Sequence, residues 1–199
     1  MEKSDNIKNK IIIGSNSQIG IEFNNISNNF ILYDKKKINI LNYELLENLI
    51  KSKKPQCLLN LSAYTDVNYC EKNPELAYLV NSEGVKNLAM LSNKYKFKLI
   101  HISTDYVFDG KKNNPYLEND DTNPINNYGK SKLLGEKNII NHTDNYIIVR
   151  TSWLYSAFKS NFVTKIIEKL NNKKNFEVVD DEISSPTCAF NFAKVLNKI

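Results

Sequence analysis

The stretch NNYGKSKLLGE, residues 126 to 136, places Tyr128 four residues ahead of Lys132. On a helix, residues four apart share a face, so an ammonium group at Lys132 would stand near the phenol of Tyr128 and favour its ionised form. A tyrosine tuned in this way is an acid for chemistry near neutral pH. The spacing alone is not selective. Tyr33 with Lys37 and Tyr155 with Lys159 repeat it, and a lysine-rich chain with this many tyrosines yields about 1.4 such pairs by chance. What separates Tyr128 is its setting. It follows the turn-rich loop KKNNPYLENDDTNPINN and opens a helix that runs into an apolar segment, so it can approach the polar strand end Ser103-Thr104-Asp105-Tyr106. A phenol beside the Thr104 hydroxyl, with a cation one turn further on, is a set of groups for carbonyl reduction. An arriving hydride leaves a developing alkoxide, which needs a proton donor (Tyr128) and a hydrogen-bond partner (Thr104) in place beforehand. Lys132 would lower the phenol's pKa from about 10 toward neutrality. Taken singly, Thr104 reads as a satisfied strand-end hydroxyl and Lys132 as an exposed helix lysine.

The elements that must position these groups are legible as short apolar runs at 10–14, 30–34, 57–62, 98–103, 146–152 and 176–181. They suit strands buried on both faces. Helix-like segments lie between them, near 18–27, 42–53, 75–95, 128–141, 160–171 and 188–198. This alternation predicts an α/β fold, a Rossmann-type doubly wound parallel sheet, with a flavodoxin-like sheet as the competitor to be separated by local chemistry. That chemistry begins with GSNSQIG, Gly14 to Gly20, between the first strand and the first helix, where a glycine turn and a helix N-terminus suit a pyrophosphate. Ser17 occupies the middle glycine position. Asp34, 20 residues after Gly14, can accept from ribose hydroxyls. Lys35, Lys36 and Lys37 follow it and could neutralise a 2′-phosphate, which leaves NADPH and NADH both open. Ligands of such sheets bind beyond the carboxyl ends of the strands, where Ser62-Ala63-Tyr64 and Thr151-Ser152-Trp153 join Thr104 on one rim.

Composition excludes several classes. Lysine and arginine total 27, yet Arg150 is the only arginine, and the lysines are dispersed. Nucleic-acid readers rely on arginine's bidentate contacts, so no nucleic-acid partner is expected. Cys57, Cys70 and Cys188 form no CxxC pair and fit free thiols in a reducing cytoplasm. The polar start of the chain is followed by only three isoleucines before Gly14, too short for a signal segment or membrane span. His101 and His142 have no partner at metal-ligand spacing, so no metal is expected and a structural or solvent role is assigned to both.

The segments LLNLSAYTDVNYCEKNPELAYLVNSEGVKNLA, ISTDYVFDG, NNYGKSKLLGE and VRTSWLYS together resemble the dTDP-4-dehydrorhamnose reductases, a group of extended short-chain dehydrogenases, from Ile11 to about residue 196. The resemblance implies a catalytic triad of Thr104, Tyr128 and Lys132, with Lys132 also gripping the nicotinamide ribose. It implies a cofactor site at Gly14, Ser17, Gln18, Ile19, Gly20, Asp34, Asn39, Ser62, Ala63 and Tyr64, with Asn39 where members often carry an aspartate near the adenine. Thr104, Asp105, Val107, Phe108 and Trp153 would meet the sugar. The implied reaction is reduction of the 4-keto group of dTDP-4-dehydro-L-rhamnose by NADPH or NADH, with a nucleotide sugar as partner and a homodimer as an allowed assembly. The segment DDEISSPTCAFNFAKVLNKI is where the family's chain passes into the rest of its nucleotide-sugar domain. The expected organisation is therefore a flexible tail at 1–9 and a dinucleotide-binding domain at 10–199, with the start of a substrate-binding region at about 183–199 and the rest of that region missing. Two other readings share much of this pattern: a non-catalytic relative like the regulatory subunit of methionine adenosyltransferase, and a nucleotide-sugar epimerase or dehydratase. The intact Thr104, Tyr128 and Lys132, and the segment STDYVFDG, favour the reductase.

Overall fold

The computed structural model describes residues 9–27, 29–172, 175, 177–178 and 182–199. Five of the six apolar runs become strands of one parallel sheet: β1 (Lys10–Ile13), β2 (Phe30–Tyr33), β3 (Cys57–Asn60), β4 (Lys98–Thr104) and β5 (Tyr146–Thr151), in the order β2-β1-β3-β4-β5. The sixth run, 176–181, falls largely outside the described residues, as does the tail before Asn9. Alternate side chains of the inner strands serve opposite layers. Ile11, Ile13, Leu58 and Leu99 pack with Leu46 and Ile50 of α2 (Tyr43–Lys53), Val85 and Leu88 of α5 (Gly84–Tyr95) and Ile139 of α6 (Asn127–His142). Ile12, Leu59 and Ile100 face the other way, onto Ile19 and Phe23 of α1 (Gln18–Ile26) and onto Ala189, Ala193 and Leu196 of α8 (Ala189–Leu196). Burial on both faces is why these strands read as continuous apolar runs.

The connection from β3 to β4 is less regular than its sequence suggests. It comprises α3 (Val67–Lys72), α4 (Pro74–Tyr78), a π-helical turn at Leu79–Glu83, and α5. The π turn brings Asn81 inward, fully buried. Its Oδ1 accepts from the Tyr64 N–H at 2.7 Å, and its Nδ2 donates to the Tyr64 carbonyl at 2.9 Å and to Ser131 Oγ at 3.0 Å. One amide thus fastens the loop after β3 to the helix that carries Tyr128. Beyond β5, β6 (Leu154–Tyr155) pairs in parallel with β7 (Thr187–Cys188), and α7 (Phe162–Asn171) lies between them in the chain. Of the segment 183–199, α8 packs on α1, while Ser184 and Ser185 reach the strand ends: Ser184 Oγ donates to Asp105, and the Ser185 carbonyl accepts from Ser152 Oγ at 2.6 Å.

Among the glycines that set close backbone approaches, two border the strand ends. Gly14 has φ +88°, and a Cβ there would stand 2.7 Å from the backbone of Leu61 and Ser62, so only glycine lets the loop turn against the end of β3. At Gly129 a Cβ would stand 2.1 Å from the Tyr106 carbonyl oxygen, so the first turn of α6 presses directly on the chain that follows β4. At Gly84, by contrast, its nearest neighbours would be side-chain atoms of the buried Ile40, which can shift without moving backbone. We expect Gly129→Ala to lower the free energy of unfolding by at least about 2 kcal/mol, because backbone must move. Gly84→Ala should change it by less than about 1 kcal/mol, since the gain in helix propensity offsets the shift of Ile40. Urea titrations of the two variants check the contrast.

Candidate functional site

A cavity of about 840 Å³ opens beyond the carboxyl ends of β1, β3, β4 and β5. It spans the place between β1 and β3 where strand order reverses, as expected for a ligand site in an open parallel sheet. The glycine loop forms one end. Gly14 N–H is bound to the Tyr33 carbonyl at 2.9 Å. Ser17 does not crowd the cavity with its hydroxyl: Oγ folds back as the N-cap of α1, accepting from Gly20 N–H at 3.1 Å. Ile19 lines the cavity, whereas Gly20 lies beneath it. Gln18 reaches across to the segment after β5. Its Nε2 donates to the Leu154 carbonyl at 3.1 Å, and its Oε1 accepts from Ser156 Oγ at 3.0 Å and Asn161 Nδ2 at 3.2 Å. The amide is thereby committed to closing the cavity's edge.

At the end of β2 the structure departs from expectation. Asp34 is not on the cavity wall; its Oδ1 accepts from Lys37 N–H at 3.0 Å and closes a turn, so the wall there is made by Lys35 and Asn39. Ser62, Ala63 and Tyr64 line the cavity as expected, with Tyr64 stacked on Tyr69. Two buried hydroxyls on the wall, Ser103 Oγ and Thr151 Oγ1, have no protein partner. Buried polar atoms are nearly always bonded, so a polar ligand at the ends of β4 and β5 would complete them. Together with the helix N-terminus and Lys35, these residues fit a dinucleotide.

Thr104, Tyr128 and Lys132 meet on this wall. Thr104 Oγ1 accepts from Tyr106 N–H at 3.2 Å and donates to Asp105 Oδ1 at 3.1 Å. The Asp105 carboxylate also accepts from Ser184 Oγ at 3.2 Å, and burial raises its pKa against those bonds. Tyr128 is buried, edge-on to Tyr106 at 5.7 Å between ring centroids. Burial pushes its pKa up to about 12, the neighbouring Thr104 hydroxyl pulls the other way, and Asp105 adds to the rise. The expectation that Lys132 brings the phenol toward neutrality is not met in the free protein. Lys132 is no exposed helix lysine; it is 1% accessible. Its Nζ donates to the Ile102 carbonyl at 2.6 Å and stands 3.1 Å from His101 Nε2. Burial lowers its pKa to about 8, with the Glu136 carboxylate opposing. The other two Tyr–Lys pairs are not helical: Tyr33 ends β2 and Tyr155 lies in β6.

Two of the expected sugar contacts stand away from the cavity wall. Val107 is fully buried, and Phe108 is stacked on Tyr116 at 4.2 Å beneath the Arg150 guanidinium, so neither lines the cavity. Asp105 and Trp153 do line it, Trp153 with φ +44° and its ring edge-on to Phe162. The residues that sequence reasoning missed are Asn60 and Asn81; His101 was assigned only a structural or solvent role, and Ser103 and Thr151 only a place at the strand ends on the rim. The one available signal was a polar residue at a position where the run demands burial on both faces, as in CLLN and KLIHIST. Among the described residues, no group of three or more His, Cys, Asp or Glu side chains is placed to hold a metal ion, and no helix is long and apolar enough to cross a membrane.

The buried lysine has a consequence for stability. Its folded pKa of about 8 lies below the ordinary 10.5, so the folded state disfavours the proton. The penalty is full below pH 8 and is relieved as pH rises toward the unfolded value, where the unfolded chain binds more protons. Lys132→Met removes the penalty at all pH values. Because methionine also leaves the Ile102 carbonyl and the His101 ring without their partner, the readout is the pH dependence: the stability of the parent relative to the variant should rise by about 2 to 3 kcal/mol as pH goes from 8 to 10.5, as read from denaturant midpoints at each pH.

The family model described as the RmlD substrate binding domain matches residues 9–199. The spore coat polysaccharide biosynthesis protein SpsK of Bacillus subtilis is 36% identical over 95% of this chain and 68% of its own length. The dTDP-4-dehydrorhamnose reductase of Aggregatibacter actinomycetemcomitans is 34% identical over 95% of this chain and 66% of its own. The crystal structure of dTDP-4-dehydrorhamnose reductase from Bacillus anthracis, solved in complex with NADP, superposes with a TM-score of 0.92 at 36% identity, covering 96% of this chain and 69% of that one. The chain thus spans about two thirds of the length of these relatives. With its Rossmann-type sheet, glycine loop and Thr104, Tyr128 and Lys132 on one cavity wall, the chain belongs to the RmlD substrate-binding-domain family.

Proposed function

We propose that this chain carries the cofactor and catalytic part of an NAD(P)H-dependent reductase that converts the 4-keto group of dTDP-4-dehydro-L-rhamnose to the alcohol of dTDP-L-rhamnose, in the cytoplasm, for surface polysaccharide synthesis. The observation that carries the reading is the meeting of Thr104, Tyr128 and Lys132 at the end of β4, on the wall of a cavity that begins at the glycine loop. A bound reduced nicotinamide supplies the hydride to the carbonyl carbon. The chain's own groups manage the proton and the charge. A phenol with its pKa held high keeps its proton at working pH, so Tyr128 Oη has a proton to give, and an alkoxide is a strong enough base to take it. Thr104 Oγ1 turns its hydrogen from Asp105 to the same oxygen, giving the developing charge two donors. Lys132, as an ammonium, then stabilises the phenolate left behind. Trp153 and Asp105, which line the same cavity as the trio, would meet the sugar ring.

A regulatory, non-catalytic role would leave nothing for this arrangement of buried acid, hydroxyl and lysine to do, and its presence supports the enzyme. Tyr128→Phe keeps the ring that packs on Tyr106 and removes the proton. NADH binding should be retained, and single-turnover reduction of the dTDP-sugar should fall by about 10² to 10⁴-fold. The rate is read on a chain extended by the C-terminal third of a relative, so that the whole substrate is held. Unchanged hydride transfer would remove Tyr128 from the role.

A further inference from the structure

His101 lies in β4 between the sheet and α6, fully buried, and the proposed reaction gives it no task. Its two ring nitrogens have different neighbours. Nδ1 is 3.0 Å from Asn60 Nδ2, and Nε2 is 3.1 Å from Lys132 Nζ. The orientation of the Asn60 amide is fixed from the far side, because Oδ1 accepts from Ser62 N–H at 3.0 Å. Asn60 Nδ2 therefore donates, His101 Nδ1 accepts, and the neutral ring must carry its hydrogen on Nε2. Burial, with Lys132 beside it, holds the imidazole pKa well below its ordinary value, so the ring stays neutral. An N–H then points at Lys132 Nζ. Such a contact is favourable only if Nζ offers a lone pair, that is, if Lys132 is an amine.

We propose that His101, locked as its Nε2–H tautomer by Asn60, is a positioning residue that disfavours the ammonium form of Lys132 in the free enzyme, so that Lys132 takes up a proton when a nicotinamide cofactor binds. The inference rests on the reading of Lys132 as the lysine that meets the cofactor ribose. An amine has two N–H donors and an ammonium three. Against His101 and Ile102 the amine is satisfied, with one hydrogen to the Ile102 carbonyl and its lone pair toward His101. Ribose hydroxyls and the phenol of Tyr128 are further acceptors, and they favour the third hydrogen. The other charged group that acts on Lys132 is Glu136 on α6, itself paired with Arg150 of β5 at 2.7 Å, while Tyr128 on the same helix faces Asp105 and Tyr106 after β4 and Cys70 of α3. None of these interposes between Nζ and His101. The lowered pKa of Lys132 agrees with the geometry and sets the pH range in which proton uptake is measurable.

Two measurements on the full chain test this. With only two histidines in the sequence, a long-range ¹H–¹⁵N spectrum of ¹⁵N-histidine-labelled protein reads the tautomer of His101. We expect neutral Nε2–H, unchanged from pH 6 to 9; an Nδ1–H ring or an imidazolium would overturn the proposal. Fluorescence titration with NADH, which has no 2′-phosphate to titrate, should show affinity about tenfold weaker at pH 9 than at pH 7, since binding takes up one proton. His101→Asn keeps a group opposite Asn60 but withdraws the Nε2–H from Lys132, and it should move that loss of affinity at least one pH unit higher. Asn60→Asp accepts from Nδ1–H, inverts the tautomer and should do the same, which guards against a folding defect in the first variant. A pH profile identical in parent and both variants would refute the role of His101. Failure of NADH to bind at any pH would instead refute the dinucleotide site, and the tautomer spectrum would then decide the histidine assignment by itself.

Discussion

The bond from Lys132 Nζ to the Ile102 carbonyl, at 2.6 Å inside a fully covered pocket, is the interaction on which the wall bearing the proposed trio depends. Ile102 precedes Ser103 and Thr104 in β4, and Lys132 follows Tyr128 by one turn in α6. The bond therefore pins the helix to the strand at the height where phenol and hydroxyl must meet. A long, ionisable side chain is a costly way to do this, because burial opposes its charge. It persists because the groups that hold it are themselves partnered: Ile102 on one side and His101 on the other, with Asn60 and Ser62 behind His101. A satisfied buried network specifies one geometry where an apolar contact would permit several.

The same economy of backbone contact recurs around the rim. Gly129 lets α6 rest on the Tyr106 carbonyl, and Gly14 lets the first loop rest on the end of β3. Asn81, turned inward by a π bulge, joins the loop after β3 to α6 through Tyr64 and Ser131. Such bulges are frequent at functional sites because they rotate one residue out of helical register. Gln18 does for the opposite edge what Asn81 does here, tying the start of α1 to Leu154, Ser156 and Asn161. The loops that border the cavity are therefore held by side-chain amides rather than by strand pairing, and a cofactor would meet a largely preformed surface.

Much of this was legible beforehand. The apolar runs gave five strands in their observed places because burial on both faces leaves no polar alternation to misread. GSNSQIG marked the loop because a positive φ and a close approach need Gly14. Thr104, Tyr128 and Lys132 were recognised because local sequence fixes which turn of a helix follows a loop. The strand order β2-β1-β3-β4-β5, in contrast, is shared with flavodoxin-like sheets. It was the chemistry at the strand ends, with the likeness to solved reductases, that separated the two.

The chain's sequence by itself determined the α/β alternation, the glycine turn and the candidacy of Thr104, Tyr128 and Lys132, because each is set by neighbours a few residues apart. Only the tertiary structure decided what those groups experience. That Lys132 turns toward His101, 31 residues away in the chain, and that Tyr128 is held as a firmly protonated phenol, follow from burial and from partners on other elements. So do the absence of Asp34, Val107 and Phe108 from the cavity wall and the unpartnered state of the Ser103 and Thr151 hydroxyls on it. Spacing along a chain says which side chains share a helix face. Desolvation and hydrogen-bond direction depend on everything packed around them, and these set the protonation states that the chemistry uses.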